Sequence, residues 1–132
     1  MSQYGKLFVF EGTDGSGKTT VSRAFAEHAK AAGFGCEWFS FPGHETGTLG
    51  KHVYDVHHDP LAAGIRTINP TSLQLLHVAA HIDTIERQIV PALKRGHHVV
   101  LDRYWWSTLV YGVVAGAKEQ SLKAMVNVER LH

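Results

Sequence analysis

Gly12-Thr13-Asp14-Gly15-Ser16-Gly17-Lys18-Thr19 is the stretch that decides the fold. It fits the pattern G-x-x-x-x-G-K-[ST], and its flanks fit too. Before it, residues 6–10 (KLFVF) form a short apolar, aromatic run that reads as a buried strand. After it, Val21, Ala24, Phe25, Ala29 and Ala32 recur at helical spacing, and Gly33 is placed to end the helix. The physics of a phosphate loop explains the spacing. Glycines let successive backbone N–H groups turn toward phosphate oxygens without side-chain clashes, and the helix N-terminus adds donors and a positive dipole end. Lys18 supplies a mobile charge for the β- and γ-phosphates, and the Thr19 hydroxyl can ligand magnesium. The phosphate-binding set is therefore Gly12, Thr13, Asp14, Gly15, Ser16, Gly17, Lys18, Thr19 and Thr20. Asp14 is a carboxylate inside an anion-binding loop, which is unfavourable unless it serves a cation, a hydroxyl or solvent.

Working outward, residues 37–41 read as a second strand stopped by Pro42-Gly43. Leu49, Val53 and Val56 suggest a short helix, and residues 59–69 a loop with a helical turn near 61–65. Pro70 suits a helix start. Residues 71–94 read as a long helix, broken or kinked at Pro91 and ended by Gly96. Residues 99–101 read as a third strand, extending back to His97, with Asp102 at its C-terminal end. Helical pieces over 105–115 and 118–131 follow. Strands alternating with helices predict an α/β chain: a three-layer P-loop NTPase fold, its parallel sheet flanked by helices and incomplete here, forming a single domain over residues 1–132.

Asp102 and Arg103 form the second polar site (HHVVLDRY). A carboxylate at a strand end beside a phosphate loop can hold magnesium, so Thr19 and Asp102 are the candidate metal residues. A guanidinium next to it can grip a phosphate with paired hydrogen bonds.

Composition narrows the partners. The chain has 132 residues, 44% apolar and 19% charged, which is globular. A net charge of +1 offers no basic excess for nucleic acid. No run of about 18 apolar residues would span a membrane. One cysteine, Cys36, fits a reducing compartment and reads as a small buried strand residue, so a cytoplasmic location is expected. The ten histidines include the neighbours His57-His58 and His97-His98. They lack the spacing of a zinc site and read as exposed or weakly packed.

FEGTDGSGKTT, Phe41-Pro42, LLHVAAHIDTIERQIVPALKRG and DRYWWSTLVYG resemble the thymidylate kinase family, in the same order and over nearly the whole chain. The resemblance implies magnesium-dependent transfer of the ATP γ-phosphoryl to dTMP, with Lys18, Asp14 and Arg103 catalytic. It implies that Asp14 lies near the sugar hydroxyl and acceptor phosphate, that Arg103 holds that phosphate, and that Tyr111 crowds the sugar 2′ position. It places Phe41 and Pro42 at the base site, with Ser107 (in S-x-x-x-Y) and the helix residues His77 and His81 among the acceptor-binding set. A homodimer built from helix faces is implied as well. Gly15 stands where some members carry an arginine, as in the bacterial subtype, whose catalytic arginines come from a later lid. Three departures stand out. His77 replaces a phenylalanine that stacks on thymine. His81 replaces an arginine that reads the base edge. GHETGT replaces a more glycine-rich stretch. The family also continues into further strands and the lid, so a longer parent protein is expected. From the residues alone, His77 and His81 fit core packing, pocket packing or base recognition. Trp105 and Trp106 fit the core, the acceptor pocket or a partner surface.

Overall fold

Val99, Val100 and Leu101 are 0–1% exposed and lie in the strand around which the sheet is built. β3 (His98–Asp102) is central, with β1 (Leu7–Phe10) on one side and β2 (Cys36–Ser40) on the other, both parallel to it. The register pairs Phe10 and Ser40 with Asp102, so all three strands end level. A continuous apolar run is what a central parallel strand needs, since both its faces are covered. The computed structural model describes residues 3–132. They form two units by contact, residues 3–40 with 85–104, and residues 41–84 with 105–132.

In the first unit, α1 (Lys18–Ala31) packs on all three strands and α4 (Val90–Lys94) on β3. Ala26, Cys36 and Val100 make the core, with Phe8, Phe10, Ala29 and Trp38 against it. Cys36 is buried, as expected. The chain leaves α1 through Gly33 at φ 89°, where Phe34 N–H reaches back to the Ala29 carbonyl at 3.1 Å.

The helix expected to bend at Pro91 is disturbed earlier. α3 (Pro70–Thr84) gives way to a π-helical turn over Ile85–Ile89, and Pro91 sits in the first turn of α4. A proline has no N–H to donate and its ring crowds the carbonyl four residues back, here that of Arg87. Widening the preceding turn removes that conflict, and in a first turn the missing N–H costs nothing. The other expected elements stand with ends shifted by one or two residues.

The second unit is helical. It contains α2 (Leu49–His58), a 3-10 turn (Pro60–Ala63), α3, α5 (Trp105–Val114) and α6 (Glu119–Leu131). α2 packs on α3, and α3, α5 and α6 pack mutually. Val78, Leu122 and Met125 form the core, with Ile82, Leu109 and Ala117 against it. Leu122 is 0% exposed, and burying such a side chain stabilises by roughly 1.5–3 kcal/mol. Gly112 lets α5 approach α6 there, because any Cβ would collide with the Leu122 methyls. Among the described residues no helix is long and apolar enough to cross a membrane.

Candidate active site

In the first unit the loop between β1 and α1 is exposed from Gly12 to Gly17. Gly15 and Gly17 have φ of 78° and 86°. A Cβ at either would meet nothing, so backbone conformation and not space calls for glycine. Gly17 occupies the N-cap of α1 without a side-chain cap, so the helix start is not closed by its own sequence. Lys18 opens the helix, its side chain 10% exposed and its Nζ 3.9 Å from Asp14 Oδ1.

The strand register brings the second polar site here. Because Phe10 and Asp102 are level, the residue ending β3 stands beside the start of the loop. The Thr19 hydroxyl donates to Asp102 Oδ2 at 2.5 Å. Asp102 is 3% exposed, and its Oδ1 is buried with no hydrogen-bond partner among the described residues. A buried carboxylate oxygen without a donor is unfavourable unless a cation or water meets it. One hydroxyl and one such carboxylate are hard oxygen donors, the kind magnesium takes when phosphates and waters complete its octahedron. Thr19 and Asp102 therefore fit the metal expected of them.

Arg103 follows at φ 75°, an uncommon conformation for a residue with a Cβ. Two contacts impose it: Arg103 N–H donates to the Phe10 carbonyl at 3.0 Å, and Tyr104 N–H donates to Glu11 Oε1 at 2.7 Å. The Arg103 guanidinium pairs with Asp14. Asp14, Lys18, Thr19, Asp102 and Arg103 thus form one cluster at the strand ends, as the sequence led one to expect. Glu11 was missed, since nothing in its surroundings marks it as an anchor for a loop 93 residues away. Ser22 was missed too; its hydroxyl donates to the Thr19 carbonyl at 3.1 Å and accepts from Trp38 Nε1 at 2.9 Å.

In the second unit, Phe41 is buried and stacks on His81, ring centroids 4.3 Å apart and planes 10° from parallel. Pro42 follows through a cis peptide. His81 is 4% exposed, and its Nδ1 lies 2.8 Å from Oε1 of Glu129, which is 0% exposed. The Thr108 hydroxyl donates to the same oxygen at 2.8 Å. His77, one turn before His81, meets His57 across helices, Nε2 to Nδ1 at 2.7 Å. Burial first, then the neighbouring His57, His81 and His58, push the His77 pKa down to about 3, so its ring is neutral. Burial and then His58 lower that of His57. Ser107 is half-buried in the first turn of α5, with Tyr111 one turn further, 37% exposed. Trp105 and Trp106 stack at 4.4 Å, with the Arg130 guanidinium 5.5 Å over Trp105 and Trp106 52% exposed.

His57 and His58 are exposed and His97 and His98 half-buried, in keeping with the sequence reading, but each has a polar partner. His81 is a core residue held by a carboxylate, and His57 is hydrogen-bonded to His77. His58 Nδ1 is 2.8 Å from the Tyr54 carbonyl, and His97 Nδ1 is 3.0 Å from Glu37 Oε1. His98 Nδ1 accepts Lys6 N–H at 2.9 Å. A ring with a donor and an acceptor nitrogen satisfies local backbone and carboxylate groups, which a survey for metal spacing does not detect. Glu129 was missed although it left a signal. Leu122, Met125, Val126 and Glu129 share the buried face of α6, and an acidic residue on an apolar helix face calls for a partner.

A strand, a glycine-rich loop opening a helix, and a carboxylate at the end of the neighbouring parallel strand define a P-loop NTPase fold. The thymidylate kinase family model matches residues 10–130. A thymidylate kinase of Dinoroseobacter shibae is 39% identical over 132 residues, all of this chain and 59% of that protein. One from Caldanaerobacter subterraneus is 35% identical over 108 residues, 81% of this chain and 49% of that protein. The crystal structure of thymidylate kinase from Ehrlichia chaffeensis superposes with a TM-score of 0.77 at 25% identity, covering 96% of this chain and 68% of that one. The chain belongs to the thymidylate kinase family. It spans between about half and three fifths of the length of these two curated relatives.

Proposed function

We propose that the protein to which this chain belongs transfers the γ-phosphoryl group of ATP to dTMP, giving dTDP and ADP. The observation that carries this reading is the cluster at the strand ends: Lys18, Thr19 and Asp102 beside a left-handed glycine loop, with Asp14 and Arg103 paired. The choice of dTMP is supported by the named activity of the relatives.

The acceptor is a phosphate oxygen already ionised at neutral pH, so no strong general base is needed. That oxygen bonds to the γ-phosphorus as the bond from phosphorus to the bridging β,γ-oxygen breaks, and ADP leaves with the electron pair. Catalysis is then positioning and neutralisation of charge. The loop from Gly12 to Thr20 orients the triphosphate, and Lys18 offsets charge on the β- and γ-oxygens. Arg103 exchanges Asp14 for the acceptor phosphate, and Asp14 is freed toward the sugar hydroxyl. Thr19 and Asp102 would hold a magnesium ion, whose charge would offset that of the triphosphate oxygens. For the second unit, Phe41, Pro42, His77, His81, Ser107 and Tyr111 are the acceptor-binding candidates, Tyr111 favouring a deoxyribose. The same reading makes the protein cytoplasmic and homodimeric, without nucleic-acid or membrane partners.

A second reading, a nucleotide kinase with another acceptor, is favoured by His81: an imidazole tied to a buried carboxylate differs from a freely reaching arginine. One assay separates the readings: ADP release by the full-length gene product with ATP and magnesium, across deoxynucleoside monophosphates. A sharp preference for dTMP is the expected result. Preference for another monophosphate supports the second reading. ATP binding with no acceptor-dependent release marks a binding module and overturns both.

A further inference from the structure

Thr19 is held at both of its polar ends. Its hydroxyl donates to Asp102 Oδ2 at 2.5 Å, on β3. Its carbonyl accepts the Ser22 hydroxyl at 3.1 Å, and that hydroxyl in turn accepts Trp38 Nε1, on β2, at 2.9 Å. A helical serine often bonds back to its own backbone, and such a bond alone says little. Here a second element claims the same oxygen. Ser22 is 0% exposed, so bulk water does not compete for its hydroxyl. The direction of the chain is forced as well. An indole N–H can only donate and a carbonyl can only accept, so the hydroxyl between them has one arrangement. Trp38 pairs with Val100, two residues before Asp102, and both side chains therefore stand on the sheet face that α1 covers. The indole is itself fixed, packed against the core of Ala26, Cys36 and Val100, with the Arg23 guanidinium 4.4 Å from its ring centroid. The first turn of α1 is thus tied to two neighbouring strands through one residue.

We infer that Trp38 and Ser22 are positioning residues for the Thr19 hydroxyl. The indole and the buried serine fix the backbone of the first helical turn, and Asp102 fixes the hydroxyl. With its hydrogen given to Asp102, the Thr19 oxygen keeps lone pairs for a cation. The inference rests on the reading of Thr19 as a magnesium ligand and extends that site to β2, outside the phosphate-loop motif.

The test is Trp38→Phe in the full-length gene product, which removes the indole N–H and keeps an aromatic ring beside Arg23. Binding of a non-hydrolysable ATP analogue is measured by calorimetry in magnesium and again in EDTA. In magnesium the Kd should rise about fivefold, the scale of one lost hydrogen bond. In EDTA it should stay within about twofold of wild type, because the loop and Lys18 still meet the phosphates. Ser22→Ala breaks the same chain at its middle and guards against a poorly folded Trp38→Phe protein. Its effect should be of similar size, and in the double variant the two effects should not multiply, as for groups acting in one network. Equal losses with and without magnesium in both variants, or an unchanged Kd in magnesium, would each overturn the inference. Wild-type protein that binds the analogue equally well in both conditions would sink the metal role of Thr19 and the inference with it. The assay reads binding alone, so a protein that phosphorylates no monophosphate loses the kinase reading and still decides this one.

Discussion

The phosphate loop and the histidine-bearing helix α3 hold their polar groups in opposite ways. Around the loop, positions are set by the backbone. Two glycines in left-handed conformations shape it, level strand ends bring Asp102 to Thr19, and two main-chain N–H groups, one bonded to the Phe10 carbonyl and one to the Glu11 carboxylate, fix Arg103. Around α3, positions are set by side chains reaching across helices: His77 to His57, and His81 to Glu129, with Phe41 stacked on its ring. A backbone-built site tolerates exposure, and Asp14 is 81% exposed. A site built from side chains needs burial to keep its geometry, and His81 is correspondingly enclosed. Changes near the loop should therefore alter chemistry with little effect on folding, and changes near α3 should alter binding and stability together.

The largest effect expected is on Lys18. Lys18→Ala should lower kcat of the full-length protein by a factor on the order of 10³, as for other groups that stabilise developing charge. Its melting temperature should move little. Steady-state kinetics beside a thermal melt checks both, and an unchanged rate would break the comparison at its firmest point.

Arg103→Gly is sharper, because it separates chemistry from conformation. Glycine adopts φ 75° freely, so relief of strain should stabilise the fold by about 1 kcal/mol, partly offset by the greater chain entropy of the unfolded glycine. The exposed partner Asp14 gives up little. Activity should nevertheless fall on the order of 10²-fold with the loss of the guanidinium. A variant that is both less stable and inactive would show that the pair with Asp14 holds the loop together.

The smallest effect concerns α3 and pH. The His77 pKa lies at about 3 in the fold and near its ordinary value of 6.5 when unfolded. Between those values the unfolded chain binds the proton and the folded one does not. Stability is thus complete above about pH 6.5 and is lost as the pH falls toward 3, by at most about 1.4 kcal/mol per pH unit from this group. Denaturant melts at pH 7 and 5.5 should show the loss, and His77→Phe should flatten it. An equal loss in His77→Phe would assign the acid sensitivity elsewhere.

The same contrast explains what was legible in the sequence. Gly12 to Thr19 states its own conformation, because glycine placement, the Lys-Thr pair and the flanking apolar runs all act locally. Asp102 and Arg103 were readable because parallel strands bring their C-terminal ends together. Pro91 misled by a few residues, since a sequence marks where a hydrogen bond is missing and not which turn widens to accommodate it. Glu129 and Glu11 escaped because their partners lie 48 and 93 residues away. Only packing decides such pairs, although an acidic residue among Leu122, Met125 and Val126 was a warning.

Trp38 gives the molecule an optical consequence. Its indole N–H is tied to Ser22, three residues after Thr19, and the Arg23 guanidinium lies 4.4 Å from its ring centroid. A hydrogen bond and a full charge so close to an indole set the colour and intensity of its emission. Any rearrangement in the first turns of α1 must alter that emission. With Trp105 and Trp106 replaced, this 132-residue chain keeps one tryptophan, a label-free reporter of its own phosphate loop.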